Sequence, residues 1–181
     1  MEYIDILDEL GNPTGESKLR DNVHKDGDWH KSTHIWIINS DGKILVQKRS
    51  KIKVNYPDLW DISAAGHIFT GETSIEGGIR EAKEELGIKL SKNEFEHLFV
   101  TTTDVVLNNG TYIEREFHDI FLVRKDLDLS KLKLQKEEVQ KVKFVSLDEL
   151  LKDCDKKSVF VPHKDEYNKL FSALRARKLI S

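Results

Sequence analysis

The sequence predicts a layered α/β or α+β fold, a mixed sheet with helices packed on it, and three observations carry that expectation. Runs such as His34-Ile35-Trp36-Ile37-Ile38 and Ile113 to Val123 have the length and composition of strands. Ser74 to Leu86 and the tail from His163 onward place apolar residues at helical spacing. The chain has 181 residues, the length of one ordinary domain with a few long loops.

Taken in order, Glu2 to Leu10 alternates as a short strand and is closed by the turn Gly11-Asn12-Pro13-Thr14-Gly15. Ser17 to His30 is polar and rich in histidine. The strand His34–Ile38 runs through Asn39-Ser40-Asp41-Gly42 into Lys43–Gln47, a hairpin that should pair antiparallel. Lys51 to Asp61 reads as a loop and Ile62 to Ile68 as an irregular strand. Thr73-Ser74-Ile75-Glu76 fits a capping box for the helix Ser74–Leu86, and Gly87 stops it. Phe95–Thr102 and Ile113–Val123 are strands, with a turn at Asn108-Asn109-Gly110. Val142–Val145 leads through the N-cap Ser146 into a short helix, Leu147–Lys152. In the tail, Tyr167, Leu170, Phe171 and Leu174 form one stripe, fit to pack on the sheet or on a second copy in a homodimer. The domain reading is a single unit over 1–181, with 1–31 as an N-terminal strand and loop extension and 163–181 as a C-terminal helix.

Composition removes several classes of function. Charged residues make up 34% of the chain, yet 29 basic against 32 acidic leaves a net charge of −3, which argues against a generic nucleic-acid binder. The single cysteine, Cys154, excludes a disulfide framework or a cysteine zinc cluster and fits a reducing, cytoplasmic setting. No apolar run approaches the ~18 residues that cross a bilayer, so no membrane partner is expected.

The helix Ser74–Leu86 has three faces. Ile75, Ile79, Ala82 and Leu86 form an apolar stripe. Glu76, Arg80 and Lys83 form a second face and need only solvent to explain them. Glu81, Glu84 and Glu85 share a third arc about 100° wide, to which Arg80 and Lys83, pointing elsewhere, offer incomplete neutralisation. Three carboxylates near a helix C-terminus repel one another and the macrodipole. A cation held by all three reverses that cost, and hard oxygen donors favour Mg²⁺ or Mn²⁺.

The wider segment reads Gly66-x5-Glu72-x7-Arg80-Glu81-Ala82-x-Glu84-Glu85-x-Gly87-Ile88. It resembles the signature of the Nudix hydrolases at every fixed position, Ala82 being a mild departure. The resemblance implies an α/β/α sandwich around a mixed central sheet. It also implies Glu81, Glu84 and Glu85 as metal ligands, the Gly66 carbonyl at the metal, and a structural Glu72–Arg80 pair beside Gly87. The activity implied is pyrophosphohydrolysis of a small-molecule diphosphate, in particular a nucleoside diphosphate joined to another group. Glu84 is the candidate base, with Glu116 as runner-up.

Within that family the chain looks most like the relatives of isopentenyl diphosphate isomerase, through His24, His30, Gln47-Lys48-Arg49-Ser50, Pro57-Asp58-Leu59-Trp60, Gly66-His67 and Glu114-Arg115-Glu116. The resemblance implies a second site at His24, His30, His67, Glu114 and Glu116, where mixed nitrogen and oxygen donors suit Zn²⁺ or Mn²⁺. His24-x5-His30 is one residue tighter than the isomerase spacing. The isomerases also need a cysteine directly before Gly-His, and here Ala65 stands there, with no proton to exchange. Hydrolysis is therefore favoured over isomerisation. A nucleotide sensor without turnover is disfavoured because no box carboxylate is missing. Arg49 and Lys53 are candidate phosphate contacts. Tyr56, Trp60 and Phe69 are expected to pack rather than to cover a substrate. His34, His97, His118 and His163 receive no role.

Overall fold

The computed structural model describes residues 2–180. Its strands are β1 (Tyr3–Leu7), β2 (Pro13–Leu19), β3 (His30–Ile38), β4 (Ile44–Arg49), β5 (Trp60–Asp61), β6 (Ala64–His67), β7 (Glu96–Leu107), β8 (Tyr112–Arg124) and β9 (Val139–Val145). Its helices are α1 (Arg20–Asp26), α2 (Ser74–Leu86), α3 (Leu147–Asp153) and α4 (Lys164–Ala176). β1 and β2 pair as a separate two-stranded sheet. The other seven form one mixed sheet in the order β5-β4-β3-β8-β7, with β6 added to β3 and β9 to β4.

β3 is the axis of the sheet. It runs parallel to β8 from His30↔Glu116 to Ile38↔Arg124, and antiparallel to β6 from Ser32↔His67 to Ile35↔Ala64. The expected hairpin pairing of β3 with β4 survives only at Ile38↔Ile44, because β4 swings away to pair with β5 and β9.

Side chains alternate along a strand, so β3 sorts its residues between two layers. Ile35 and Ile37 face α2, where they bury Ala82 and Leu86 together with Leu45, Ala64 and Val123. Trp36 and Ile38 face the opposite layer, packed with Leu147 and Leu150 of α3 and with Tyr167, Leu170, Phe171 and Leu174 of α4. The α4 stripe is thus spent on the protein's own sheet. This arrangement is the α/β/α sandwich expected.

Local chemistry explains the helix ends. Thr73 and Glu76 form the reciprocal capping box, and Gly87 closes α2 at φ 71°. Ser146 and Glu149 repeat the box on α3. The N-terminal extension needs correcting: residues 1–31 are more than strand and loop, since β2 runs directly into α1, which ends on Gly27 at φ 74°. Its first residue, Arg20, bonds the Glu2 carbonyl, tying the helix to the small sheet. Among the described residues, no helix is long and apolar enough to cross a membrane.

Candidate active site

Two clusters of ligand-type side chains meet at β6, one on each side of it. The first lies on the His67 side. His24 from α1, His30 from β3, His67 from β6 and Glu116 from β8 bring one ligand atom each to within 4.8 Å of one another. His24 Nε2 faces His67 Nε2 at 3.0 Å, and Glu116 Oε1 lies 3.4 Å from His30 Nε2 and 3.3 Å from His67 Nε2.

Backbone carbonyls fix two of these rings. His24 Nδ1 donates to Ile113 O at 3.2 Å and His30 Nδ1 to Asp28 O at 2.9 Å. A carbonyl only accepts, so Nδ1 carries the proton and, in the neutral ring, Nε2 turns a lone pair to the centre. His30 Nε2 is sealed from solvent without a directed hydrogen bond among the described residues. A buried nitrogen left so, amid converging donors, fits a cation in the middle.

Burial, reinforced by His67 and His30, pushes His24 down to about 3, and burial also lowers His67, whereas at His30 burial is outweighed by Glu116, which raises the ring. Burial pushes against ionisation of Glu116, but His67 and His30 outweigh it and hold the carboxyl well below its ordinary range.

Glu114 does not join this cluster, although it shares the β8 face with Glu116. Burial and then the Glu116 charge raise it to about 7. The five-residue set expected from the sequence is therefore four residues in the fold.

The second cluster lies along α2. A Cβ on Gly66 would sit 2.1 Å from Cδ and from Oε1 of Glu81, so only glycine lets that carboxylate lie against β6. Burial pushes Glu81 up to about 7 against the opposing pull of Arg80. Glu85 is buried, and Oε2 accepts from Gln47 Nε2 and from Ala65 N, both at 3.2 Å. Burial, with Glu81 adding, raises it well above the carboxylate range. Glu84 is half exposed. Desolvated carboxylates that resist ionisation side by side, with oxygen donors only, fit a hard divalent cation.

Arg80 departs from the expected three-faced helix. It does pair with Glu72, Nε to Oε1 and Nη2 to Oε2 at 3.0 Å each. It also reaches into the acid arc, donating from Nη1 to Glu81 at 2.6 Å and Glu84 at 3.3 Å, and it lies over the Phe69 ring at 3.7 Å. The guanidinium is long enough to span both faces, which a helical wheel of Cα positions does not show. Its Nη2 also donates to the His67 carbonyl at 2.8 Å, so Arg80 holds the strand that separates the clusters.

The two cations expected at phosphates are already engaged. Arg49 donates to Asp61 at 2.9 Å and to the Asn55 carbonyl, and Lys53 pairs with Glu138. Trp60 packs against the core, with Lys143 over its ring at 4.6 Å, as an aromatic in a packing role should.

Several residues escaped the sequence reading. Arg20 lies one turn before His24 on α1, and its charge is felt at both Glu81 and His67. An i, i+4 pattern would have revealed it had the helix been recognised. Behind the imidazole cluster lies a buried polar layer. Glu166 accepts from His34 at 2.8 Å and from Trp36 at 2.7 Å, while His118 bonds Ser32 at 2.6 Å and Thr103 at 2.7 Å. His34, Trp36 and His118 share the sheet face with His30 and Glu116, a consequence of the β3–β8 register that spacing in one strand cannot reveal.

Comparison with known proteins agrees with this architecture. The NUDIX domain profile matches residues 28–164. The chain is 43% identical over 182 residues to Nudix hydrolase 3 of Arabidopsis thaliana, covering 97% of this chain and 24% of that protein. It is 37% identical over 159 residues to an uncharacterised Nudix hydrolase of Clostridium acetobutylicum, with 86% and 75% covered. An isopentenyl-diphosphate Delta-isomerase of Salmonella heidelberg is 31% identical over 140 residues, with 76% and 74% covered. The chain thus spans about a quarter of the plant relative and about three quarters of the two bacterial ones. In fold it is similar to the crystal structure of DR0079 from Deinococcus radiodurans, at TM-score 0.69 and 18% identity over 95% of this chain and 99% of that one. With Glu81 of the box lying against Gly66 and the profile spanning most of the chain, this protein belongs to the Nudix hydrolase family.

Proposed function

We propose that the chain is a metal-dependent pyrophosphohydrolase that cleaves a nucleoside diphosphate linked to a second group, or a related organic diphosphate, by water attack at phosphorus. The observation that carries this reading is the pair of desolvated carboxylates, Glu81 and Glu85, beside half-exposed Glu84 at the edge of β6. Glu81, Glu84, Glu85 and the Gly66 carbonyl would hold Mg²⁺ or Mn²⁺. Bound there, such an ion neutralises phosphate oxygens and acidifies a water.

The protein's own groups supply the rest. Glu84, the most exposed of the three, takes the proton as the water oxygen bonds to phosphorus and the bridging P–O bond breaks. Glu116 is less suited as base, because it lies among the ligand-type side chains of the imidazole cluster. Arg20 and the uncommitted N–H groups of Arg49 would draw in the polyanion, as would Lys53 if it leaves Glu138. His24, His30, His67 and Glu116 form a second cation site, of a chemistry suited to Zn²⁺ or Mn²⁺.

A second reading, isomerisation of isopentenyl diphosphate, is favoured by that imidazole cluster and by the similarity to a named isomerase. Ala65 counts against it, since a methyl group cannot carry a proton. The test is product release from a panel of linked nucleoside diphosphates and prenyl diphosphates with Mg²⁺ or Mn²⁺, run beside Glu84→Gln and Glu85→Gln. Hydrolysis that disappears in both variants supports the first reading. Allylic isomer without phosphate release would support the second.

A further inference from the structure

Asp61 is 3% exposed and has both carboxylate oxygens committed. Oδ2 accepts from Arg49 Nη1 at 2.9 Å, and Oδ1 accepts from His163 Nε2 at 2.9 Å and from its neighbour Ile62 N at 2.9 Å. His163 is the N-cap residue of α4, so the helix that closes one layer of the sandwich reaches an arginine at the end of β4.

Arg49 in turn gathers the loop that follows it. Its Nε and Nη2 both donate to the Asn55 carbonyl, at 3.3 and 3.0 Å. Asn55 Oδ1 accepts from Asn108 at the tip of the β7–β8 hairpin at 2.8 Å. The line His163–Asp61–Arg49–Asn55–Asn108 therefore joins α4, β5, β4, the 50–59 loop and the hairpin tip. A guanidinium has five N–H donors, and three are used here, leaving one on each terminal nitrogen. The fork is 80% buried and its charge is felt at Glu114 and at Tyr112, whose ring stacks on His24 at 4.2 Å.

We propose that Asp61 and His163 are positioning residues for a diphosphate ligand, holding the Arg49 fork in place with two N–H groups left over for the ligand. This inference rests on the diphosphate reading above. A lone arginine at a strand end samples many rotamers, and a ligand must bear the cost of ordering it. Fixed on a buried carboxylate, the fork is ordered in advance. Asp61 divides its two oxygens between Arg49 and His163, and His163 also has Glu166 and Glu114 near it; burial opposes its charge, but Asp61 raises the ring to about 9. Arg49 therefore shares its counter-ion with a second cation and keeps two N–H donors for an anion.

The experiment is calorimetric binding of inorganic pyrophosphate with Mg²⁺ to the full chain and to Asp61→Asn, His163→Ala, His163→Gln and Arg49→Met. Asp61→Asn and His163→Ala should weaken binding by about tenfold and fivefold, the scale of one lost charge-assisted bond. His163→Gln, which keeps an N–H donor, should return to within about twofold of the parent. Adding Asp61→Asn to Arg49→Met should cost nothing more, as one residue acts through the other. Variants that bind like the parent, or effects that add, overturn the positioning role and leave the diphosphate reading standing. A parent that binds no pyrophosphate overturns both. If Asp61→Asn does not fold, the His163→Ala and His163→Gln pair decides alone.

Discussion

Gly66 and Glu81 occupy one another's space: a Cβ on the glycine would fall 2.1 Å from the Glu81 carboxyl carbon. This contact links the Gly-His strand to the glutamate helix, and it explains why the two halves of the motif come at fixed spacing. Gly66→Ala should leave the fold intact, since the obstructing group is the end of a flexible side chain. It should push Glu81 aside and cut turnover about 100-fold, the scale of a 1 Å misplacement. Thermal unfolding and steady-state rates measured together check this, and unchanged turnover would contradict it.

The imidazole cluster predicts its own metal chemistry. The full chain should take up one Zn²⁺ or Mn²⁺ at His24, His30, His67 and Glu116. His30→Gln or His67→Asn should weaken that uptake by at least about tenfold. Equilibrium dialysis followed by elemental analysis reads the stoichiometry. Uptake that is the same in both variants would place the ion elsewhere.

Glu166 is 2% exposed and bridges His34 and Trp36. Removing its charge leaves two donors with a weaker acceptor, so Glu166→Gln should cost about 1–3 kcal/mol in urea unfolding at neutral pH. The carboxyl lies at about 2: burial would raise it, and His34 with His163 outweighs that. Its contribution is therefore present above pH 4.5 and fades as pH falls toward 2. Glu166→Gln should flatten that acid limb.

His163 gives the opposite sign. It meets Asp61 from β5, Glu114 from β8, Glu166 on its own helix and His34 from β3, and Asp61 lifts it against burial to about 9. A group raised above its unfolded value contributes most below pH 6.5, and that stability is lost as pH rises through about 9. Melting temperature should fall between pH 7 and 10 by several degrees more in the parent than in His163→Gln. Parallel curves would contradict the ion pair.

The mixed sheet with helices packed on it, α2 with both its caps, and the acid arc are legible because each depends on local periodicity or on short fixed spacings, while the three-layer sandwich follows from the family resemblance. Helix α1 was not, since Leu19 offers no side-chain cap and only Val23 and His24 of its seven residues are buried. The parallel β3–β8 pairing joins segments about eighty residues apart, and it alone places His30 beside Glu116 and His34 and His118 on one face. Without that register His34 and His118 read as scattered surface or hydrogen-bonding histidines, and His163 does so until α4 brings it to Asp61. Glu114 shows the reverse: an i, i+2 pattern sets a face but does not bring a side chain to a common centre. Arg80 and Arg49 show that a long cation's partner is decided by reach, which spacing understates.

The central claim is that the glutamates of α2 take up a dication together with a diphosphate. Titration calorimetry of Mg²⁺ or Mn²⁺ into the full chain with inorganic pyrophosphate present tests it most directly, beside Glu85→Gln and Glu84→Gln. The account predicts uptake in the parent that weakens at least about tenfold in each variant. Absence of uptake in the parent, or equal uptake in all three proteins, would contradict it.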